Sequence, residues 1–304
     1  MELKTPLISI ITATYNRSNV LYYTIASVRE SSFKNWELIV VGDACTDNTE
    51  EVVMSFKDPR IRFFNLNENF GDQGGPNNEG FRHARGRYIA YLNHDDLWMP
   101  EHLETALKGI EETGADMVFT MGLALRGAGH NCLYGVMPED RFIPGFVPAS
   151  LWFLKRELLE QIGPWRHPQE CYVQPSQDLL FRIWRAGKKI CAIPELTVIA
   201  VYAGYRSGVY AKREFEENKL YFERMQKDPN FLAPEFLGIA RSLALEKVEM
   251  LIWPHFRRGI INFLKTIVLK LGIVPYKLGF ILRYRKKGGY INAWRKTIGL
   301  SKLK

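Results

Sequence analysis

Three polar clusters near the start of the chain carry residue types that could do chemistry together. They are Thr12-Ala13-Thr14-Tyr15-Asn16-Arg17, Gly42-Asp43-Ala44-Cys45-Thr46-Asp47 and Asn93-His94-Asp95-Asp96, and each closes an apolar, strand-like run. In doubly wound sheets ligands bind outside the carboxyl ends of the strands, so the three clusters are expected to converge on one crevice. Tyr15 would give that crevice an aromatic wall, and its carboxylates could accept hydrogen bonds from a base or ribose or offer hard oxygens to a divalent cation. The adjacent pair Asp95-Asp96 says most. Neighbouring carboxylates repel, so each must be solvated or bound to a cation, and Mg²⁺ or Mn²⁺ bridging to a diphosphate would resolve the conflict. The competing reading is helix capping, because a helix is expected to begin near Pro100.

The elements that must position these clusters are legible as alternating strands and helices. Leu7–Thr14, Glu37–Gly42, Ile61–Leu66 and Arg87–Asn93 read as strands, and three of the four are nearly continuous in apolar residues, as strands covered on both faces are. Ser18 or Asn19 can cap a helix with Leu21, Ile25 and Val28 on one face, Thr46 or Asp47 can cap the next, and Pro100 suits the first turn of a third with Leu103 and Leu107 inward. From about 110 to 210 the pattern is looser. It contains a strand at Asp116–Thr120, a Gly/Pro-rich stretch to Pro148, and helical segments near 151–162 and 177–186. Beyond 211 it is helical, first through Glu214–Arg224 and then around Pro234–Trp253.

The 304 residues, 46% hydrophobic and 24% charged, describe an ordinary globular protein and exclude disorder or fibre. The four cysteines form no CxxC pair, no charged leader with an apolar run precedes the first strand, and a reducing cytoplasm is expected. Lys265, Lys270, Lys277 and Arg283 interrupt the one region apolar enough to suggest a membrane span. The net charge of +8 is unevenly spread, since residues 250–304 hold 13 Lys/Arg and no Asp/Glu. The last fifth of the chain is therefore the part that seeks anionic surfaces.

Three segments together carry a resemblance. Pro6 to Arg17, Trp36 to Asp43 with Thr46-Asp47-Asn48-Thr49, and Ala84 to Asp96 are similar, in order and spacing, to the family 2 glycosyltransferases across roughly residues 5–200. The resemblance implies a GT-A fold, which is α/β: a Rossmann-like, mostly parallel sheet with helices on both faces, here followed by a helical C-terminal extension. It divides the chain into a catalytic domain, 1–210, with a nucleotide half (1–105) and an acceptor half (106–210), and a helical region, 211–304. It also implies inverting transfer of a sugar from a UDP-, dTDP- or GDP-sugar to an acceptor hydroxyl. Ala13, Thr14 and Tyr15 would line the nucleotide pocket, Asp43 would hydrogen-bond the base, Asp95 would meet the ribose and Asp96 the metal, Mg²⁺ or Mn²⁺. Asn78 and Arg206 are further donor-binding candidates.

Inverting transfer needs a base for the acceptor hydroxyl. Gly163-Pro164-Trp165, followed by Gln174 to Arg182, resembles the family segment ending in Glu-Asp, which makes Asp178 the candidate base, with an N-terminal helix cap as its alternative. The chain departs from the family pattern in several places. Asn93 and His94 replace an acidic and a small residue, Gln177 replaces Glu, and Asn77 stands where Arg is common. His94 is then either a metal ligand or a hydrogen-bonding spacer.

Within 256–304 the apolar residues Phe256, Ile260, Phe263, Leu264, Ile267 and Leu271 recur at helical spacing among Lys and Arg. Such a helix can lie on an anionic membrane surface, beside a lipid-linked or other glycan acceptor, or it can pack on the catalytic core. The expected location is the cytoplasm, peripherally at the inner face of the cytoplasmic membrane, with no nucleic-acid partner. The rival from another class is a non-catalytic carbohydrate-binding or scaffold protein on a degenerate version of this fold.

Overall fold

Nearly continuous Ile, Val, Leu and Tyr runs fold as strands because only a sheet covered on both faces removes all of them from water. At roughly 25 cal/mol per Å² of apolar surface, each fully buried aliphatic side chain contributes about 1.5–3 kcal/mol. The computed structural model describes residues 5–126, 131–137, 142–201, 210, 216–249 and 263–303. Its centre is a nine-stranded sheet in the order β3-β2-β1-β4-β8-β6-β9-β5, with β7 paired to β6. The strands are β1 (Ile8–Thr14), β2 (Trp36–Gly42), β3 (Ile61–Asn65), β4 (Tyr88–Tyr91), β5 (Leu97–Trp98), β6 (Met117–Leu125), β7 (Cys132–Tyr134), β8 (Trp152–Lys155) and β9 (Ile190–Val201). β2 is buried at every position and β1 at all but one.

The first four strands in this order pair in parallel, with Ile10 facing both Leu38 and Ala90. Beyond β4 the sheet is mixed. β8 runs antiparallel to both β4 and β6, β6 pairs in parallel with β9, and β5 returns antiparallel to β9. The expectation of a mostly parallel sheet therefore holds among β1, β2, β3 and β4 and gives way to mixed pairing in the rest.

The helices are α1 (Ser18–Arg29), α2 (Thr49–Ser55), α3 (Gly74–His83), α4 (His102–Thr113), α5 (Arg156–Ile162), α6 (Pro175–Arg185), α7 (Glu216–Lys227), α8 (Ala233–Glu249), α9 (residues 263–270), α10 (Pro275–Tyr284) and α11 (Gly289–Thr297). The expected helix near 151–162 is in fact strand β8 followed by α5. Trp152-Phe153-Leu154 have the bulky, flat shapes that suit a strand buried between two neighbours, and the helix begins only at Arg156. β9 is interrupted near Pro194, where its register with β6 shifts.

Among the described residues no helix is long and apolar enough to cross a membrane. The tail divides into two parts. α10 docks on the core, with Val274 buried and Tyr276 and Phe280 packed around Val173, Phe181 and Trp184. α9 leaves Phe263, Leu264 and Ile267 exposed, as is Leu271 just after it, and Leu282 of α10 is 69% exposed. Phe256 and Ile260 lie outside the described residues.

Candidate functional site

The chain turns sharply where β1 and β2 end. Asn16 (φ 50°) and Ala44 (φ 59°) occupy the left-handed region, the first a conformation that Asn tolerates better than most residues. The Asn16 carboxamide oxygen accepts from the backbone N–H groups of Thr46 (2.8 Å) and Asp47 (3.3 Å), and the Asp43 N–H donates to the Thr14 carbonyl at 2.8 Å. The third cluster is tied to the first through His94, whose Nδ1 lies 3.2 Å from the Ala13 carbonyl oxygen. Thr24 of α1 donates to the carbonyls of both His94 (2.8 Å) and Asp96 (3.0 Å).

The three clusters thereby line one cavity of about 220 Å³. Ala13, Thr14, Tyr15, Asp43, Asp95 and Asp96 all contribute to its wall, joined by Asp72, Arg295 and aromatic rings from β7 and the tail. Asp96 is almost wholly buried. Its Oδ1 accepts from the Val201 N–H at the end of β9 (2.9 Å), and its Oδ2 from Asn93 Nδ2 (2.9 Å) and Ser150 Oγ (2.5 Å). Burial, and after it the neighbouring Asp95 charge, push its pKa up to about 8. Asp95 is fixed through its backbone, where its carbonyl accepts from Asn218 of α7 at 2.6 Å. Its carboxylate Oδ2 lies 4.0 Å from the His94 ring Nε2.

Asp43 holds a loop. Its Oδ1 accepts from the Phe70 N–H (2.6 Å), and its Oδ2 from the Gly71 N–H (2.8 Å) and Asn69 Nδ2 (3.0 Å). Burial raises its pKa against those bonds. Asp72, next on the same loop, is pushed up to about 6 by burial with help from the Asp43 charge. The opposite end of the sheet makes an instructive contrast. Buried Glu37 there accepts from Ser9 (2.7 Å) and pairs with Arg62 and Arg85 (2.8 Å each), and these partners outweigh its burial to hold its pKa below the usual range. One end of the sheet pairs its carboxylate with two arginines, whereas the cavity end sets four carboxylates against the one Arg295. That is the pattern of a binding site for a cation or cationic complex.

Among the described residues no three His, Cys, Asp or Glu side chains are grouped to enclose a metal ion. The donor set suits a different arrangement. Mg²⁺ and Mn²⁺ are commonly held by one or two carboxylates plus substrate phosphates, and Asp96, beside Asp95 on the cavity wall, could provide such a carboxylate.

Other residues singled out in the sequence lie elsewhere. Asn78 is engaged with Trp165, donating to its carbonyl and accepting from its N–H at 2.9 Å each, and does not line the cavity. Asp178 sits in the first turn of α6, buried, with Oδ2 3.1 Å from Arg182 Nε and 3.6 Å from Arg166 Nη1. It too is absent from the cavity wall, although Gln174 and Ser176 at the start of the same helix are part of it. Arg206 lies outside the described residues.

The departures from the family pattern acquire physical reasons. Asn93 donates to Asp96, which a carboxylate at that position could not do. Gln177 both accepts from the Val147 N–H (3.3 Å) and donates to its carbonyl (3.0 Å), a two-way grip that needs an amide. His94 engages Ala13 with one ring nitrogen and faces the Tyr210 hydroxyl at 3.5 Å with the other, and burial lowers its pKa.

Ser150, Asp72 and Arg295 were not singled out by sequence reasoning. Ser150 and Asp72 carry no motif, and Arg295 lies in the basic tail, whose pattern does not reveal which surface it meets.

Residues 9–126 match the family described as Glycosyl transferase family 2. TuaG of Bacillus subtilis, a glycosyltransferase assigned to teichuronic acid biosynthesis, is 36% identical over 150 residues, 49% of this chain and 56% of that protein. The UDP-Glc:alpha-D-GlcNAc-diphosphoundecaprenol beta-1,3-glucosyltransferase WfgD of Escherichia coli is 39% identical over 98 residues, 32% of this chain and 38% of that protein. The chain thus spans about half or less of the length of these curated relatives. Solved structures share its fold, among them the following two. S. aureus TarS 1-349 in complex with UDP-GlcNAc superimposes with a TM-score of 0.55 at 17% identity, covering 72% of this chain and 70% of that one. The mannosyltransferase PcManGT from Pyrobaculum calidifontis, in complex with GDP-Man and Mn2+, gives 0.55 at 15% identity over 96% of this chain and 87% of that one. Its three motif clusters lie on one cavity of a sheet with the GT-A fold, and residues 9–126 carry the match to Glycosyl transferase family 2.

Proposed function

We propose that this protein transfers a sugar, with inversion, from a nucleotide-diphosphate sugar to a hydroxyl of a lipid-linked or cell-surface glycan. The observation that carries this reading is the meeting of Tyr15, Asp43, Asp95 and Asp96 in one cavity at the carboxyl ends of β1, β2 and β4. In this reading residues 1–105 hold the nucleotide, residues 106–210 face the acceptor, and 211–304 form a helical region. Ala13, Thr14 and Tyr15 line the nucleoside pocket, Asp43 meets the base, Asp95 the ribose and Asp96 the metal. Asn78 acts at a distance, by holding Trp165, and Arg206 remains a donor-binding candidate. A bound Mg²⁺ or Mn²⁺ would neutralise the departing diphosphate, so that no general acid is required. The choice of UDP, dTDP or GDP is supported only through relatives, among which UDP-sugars and GDP-Man both occur.

Asp178 is the proposed base. Arg166 and Arg182 fix its carboxylate at the start of the helix whose first residues border the cavity, which supports a role toward the acceptor side. Its absence from the cavity wall favours the rival reading, a non-catalytic carbohydrate-binding protein. Donor hydrolysis separates the two, because an active site leaks slow, metal-dependent hydrolysis and a scaffold does not.

The exposed apolar side chains of α9, with Lys265 and Lys270 among them, support peripheral association with an anionic membrane at its cytoplasmic face.

The test is a thermal-shift titration with UDP, GDP and dTDP, each with and without Mn²⁺. A ligand at 100 times its Kd stabilises by about 2.7 kcal/mol. Asp178→Ala is expected to keep that shift and abolish transfer. No shift with any of the three nucleotides would refute the reading.

A further inference from the structure

The cavity wall carries four carboxylates, Asp43, Asp72, Asp95 and Asp96, and among its described residues Arg295 is the one lysine or arginine. This residue comes from α11, 224 positions along the chain from Gly71, its partner in the donor half. Its side chain is nearly buried. Nη1 donates to the Gly71 carbonyl, and Nε donates to the Ser301 carbonyl at 2.6 Å. A guanidinium has five N–H donors in a rigid fork, so these bonds fix its plane and use two of them. Its charge is felt by both Asp43 and Asp72.

Independent contacts hold α11 in place. Gln174 Nε2 at the start of α6 donates to the Tyr290 hydroxyl at 2.9 Å, the Gly288 N–H donates to the Cys171 carbonyl at 2.9 Å, and the Leu303 side chain lies directly against Gly71. The positive charge is thus built into the site by packing on both halves of the cavity. One fixed cation facing four acidic groups leaves the cavity short of positive charge for a polyanionic ligand, and its unused donors suit phosphate oxygens.

We propose that Arg295 is a donor-binding residue: its guanidinium, fixed by its bonds to the Gly71 and Ser301 carbonyls, meets the diphosphate of the nucleotide. This rests on the transferase reading, and it supplies from the tail a cationic contact that Asn77 does not provide.

The experiment compares binding of UDP, GDP and dTDP, each with Mn²⁺, and of the matching nucleosides, by calorimetry in wild type, Arg295→Gln and Arg295→Lys. Arg295→Gln is expected to weaken the preferred nucleoside diphosphate about tenfold or more, the loss of one charge-assisted contact, and to leave the nucleoside within about twofold. Arg295→Lys should fall between. Unfolding midpoints of the free proteins establish that each variant is folded, and if the Gln variant is not, the Lys variant decides by the same comparison. Equal weakening of nucleoside and diphosphate, or weakening of neither, overturns the proposal while leaving the transferase reading standing. Failure of wild type to bind any of the three diphosphates overturns both.

Discussion

Asp96 allows a prediction in which a proton is counted. Its pKa in the free protein is pushed up to about 8 by burial and by Asp95, whereas an aspartate in the unfolded chain titrates near 3.9. At pH 7 the free site therefore carries about nine-tenths of a proton on this carboxyl. A divalent cation binds the carboxylate form, so Mn²⁺ with a nucleoside diphosphate should expel about 0.9 proton at pH 7 and about 0.1 at pH 9. Isothermal titration in buffers of different ionisation enthalpy measures that number directly. Metal affinity should rise close to tenfold per pH unit below pH 8 and level off above it.

The same shift fixes the sign of the stability effect. A carboxyl whose folded pKa is raised takes up a proton on folding. Its contribution is fully present below about pH 4 and is lost by at most about 1.4 kcal/mol per pH unit until the folded pKa near 8. Asp96→Asn mimics the protonated state, because Ser150 and Asn93 can each turn to accept from the new amide. The variant should flatten this part of the stability–pH profile and release no proton. Identical binding heats across buffers at pH 7 in wild type would refute both the raised pKa and the assignment of Asp96 to the metal.

Gln177→Glu removes the donor to the Val147 carbonyl and buries a charge, and should lower stability by about 1–3 kcal/mol, read as a drop in unfolding midpoint that shrinks on acidification. Charge reversal at Lys265 and Lys270 should reduce sedimentation with anionic liposomes, by about 1 kcal/mol per residue brought near the surface, and leave nucleotide binding unchanged. Equal sedimentation of wild type and variant would remove the membrane role from α9. Point changes serve here better than deletion from Phe256 onward, because that deletion would also remove α11 and the cavity wall it provides.

The first four sheet strands were readable because strands buried on both faces are written as unbroken apolar runs, and the polar residues that follow them mark the ligand edge. β8 was misread as helix because the Leu- and Glu-rich segment after Lys155 extends a helical pattern backward over Trp152-Phe153-Leu154, where only pairing with β4 and β6 decides. β9 contains Pro194 and exposed Glu195, which break the strand pattern at the register shift. In the site, Tyr15, Asp43, Asp95 and Asp96 were identifiable because each follows a strand. The bonds of Asp96 to Ser150 and Val201 were not, since they join segments 54 and 105 positions away. An amphipathic basic pattern in the tail is satisfied equally by lipid or by protein. α9 exposes apolar side chains, while Tyr276 and Phe280 of α10 and Ile291 of α11 turn to the core.

The position of Leu303 has a practical outcome for anyone producing this protein. Its side chain rests on Gly71 and its N–H donates to Asn292 Oδ1 at 2.8 Å, so the last described turn is clasped to the rim of the cavity. A tag or reporter inserted directly after Leu303 would begin at that rim, and could obstruct a ligand or pry the turn loose without altering a single carboxylate of the cavity. An insertion ahead of Ile8 would instead enter at the sheet edge opposite that cavity.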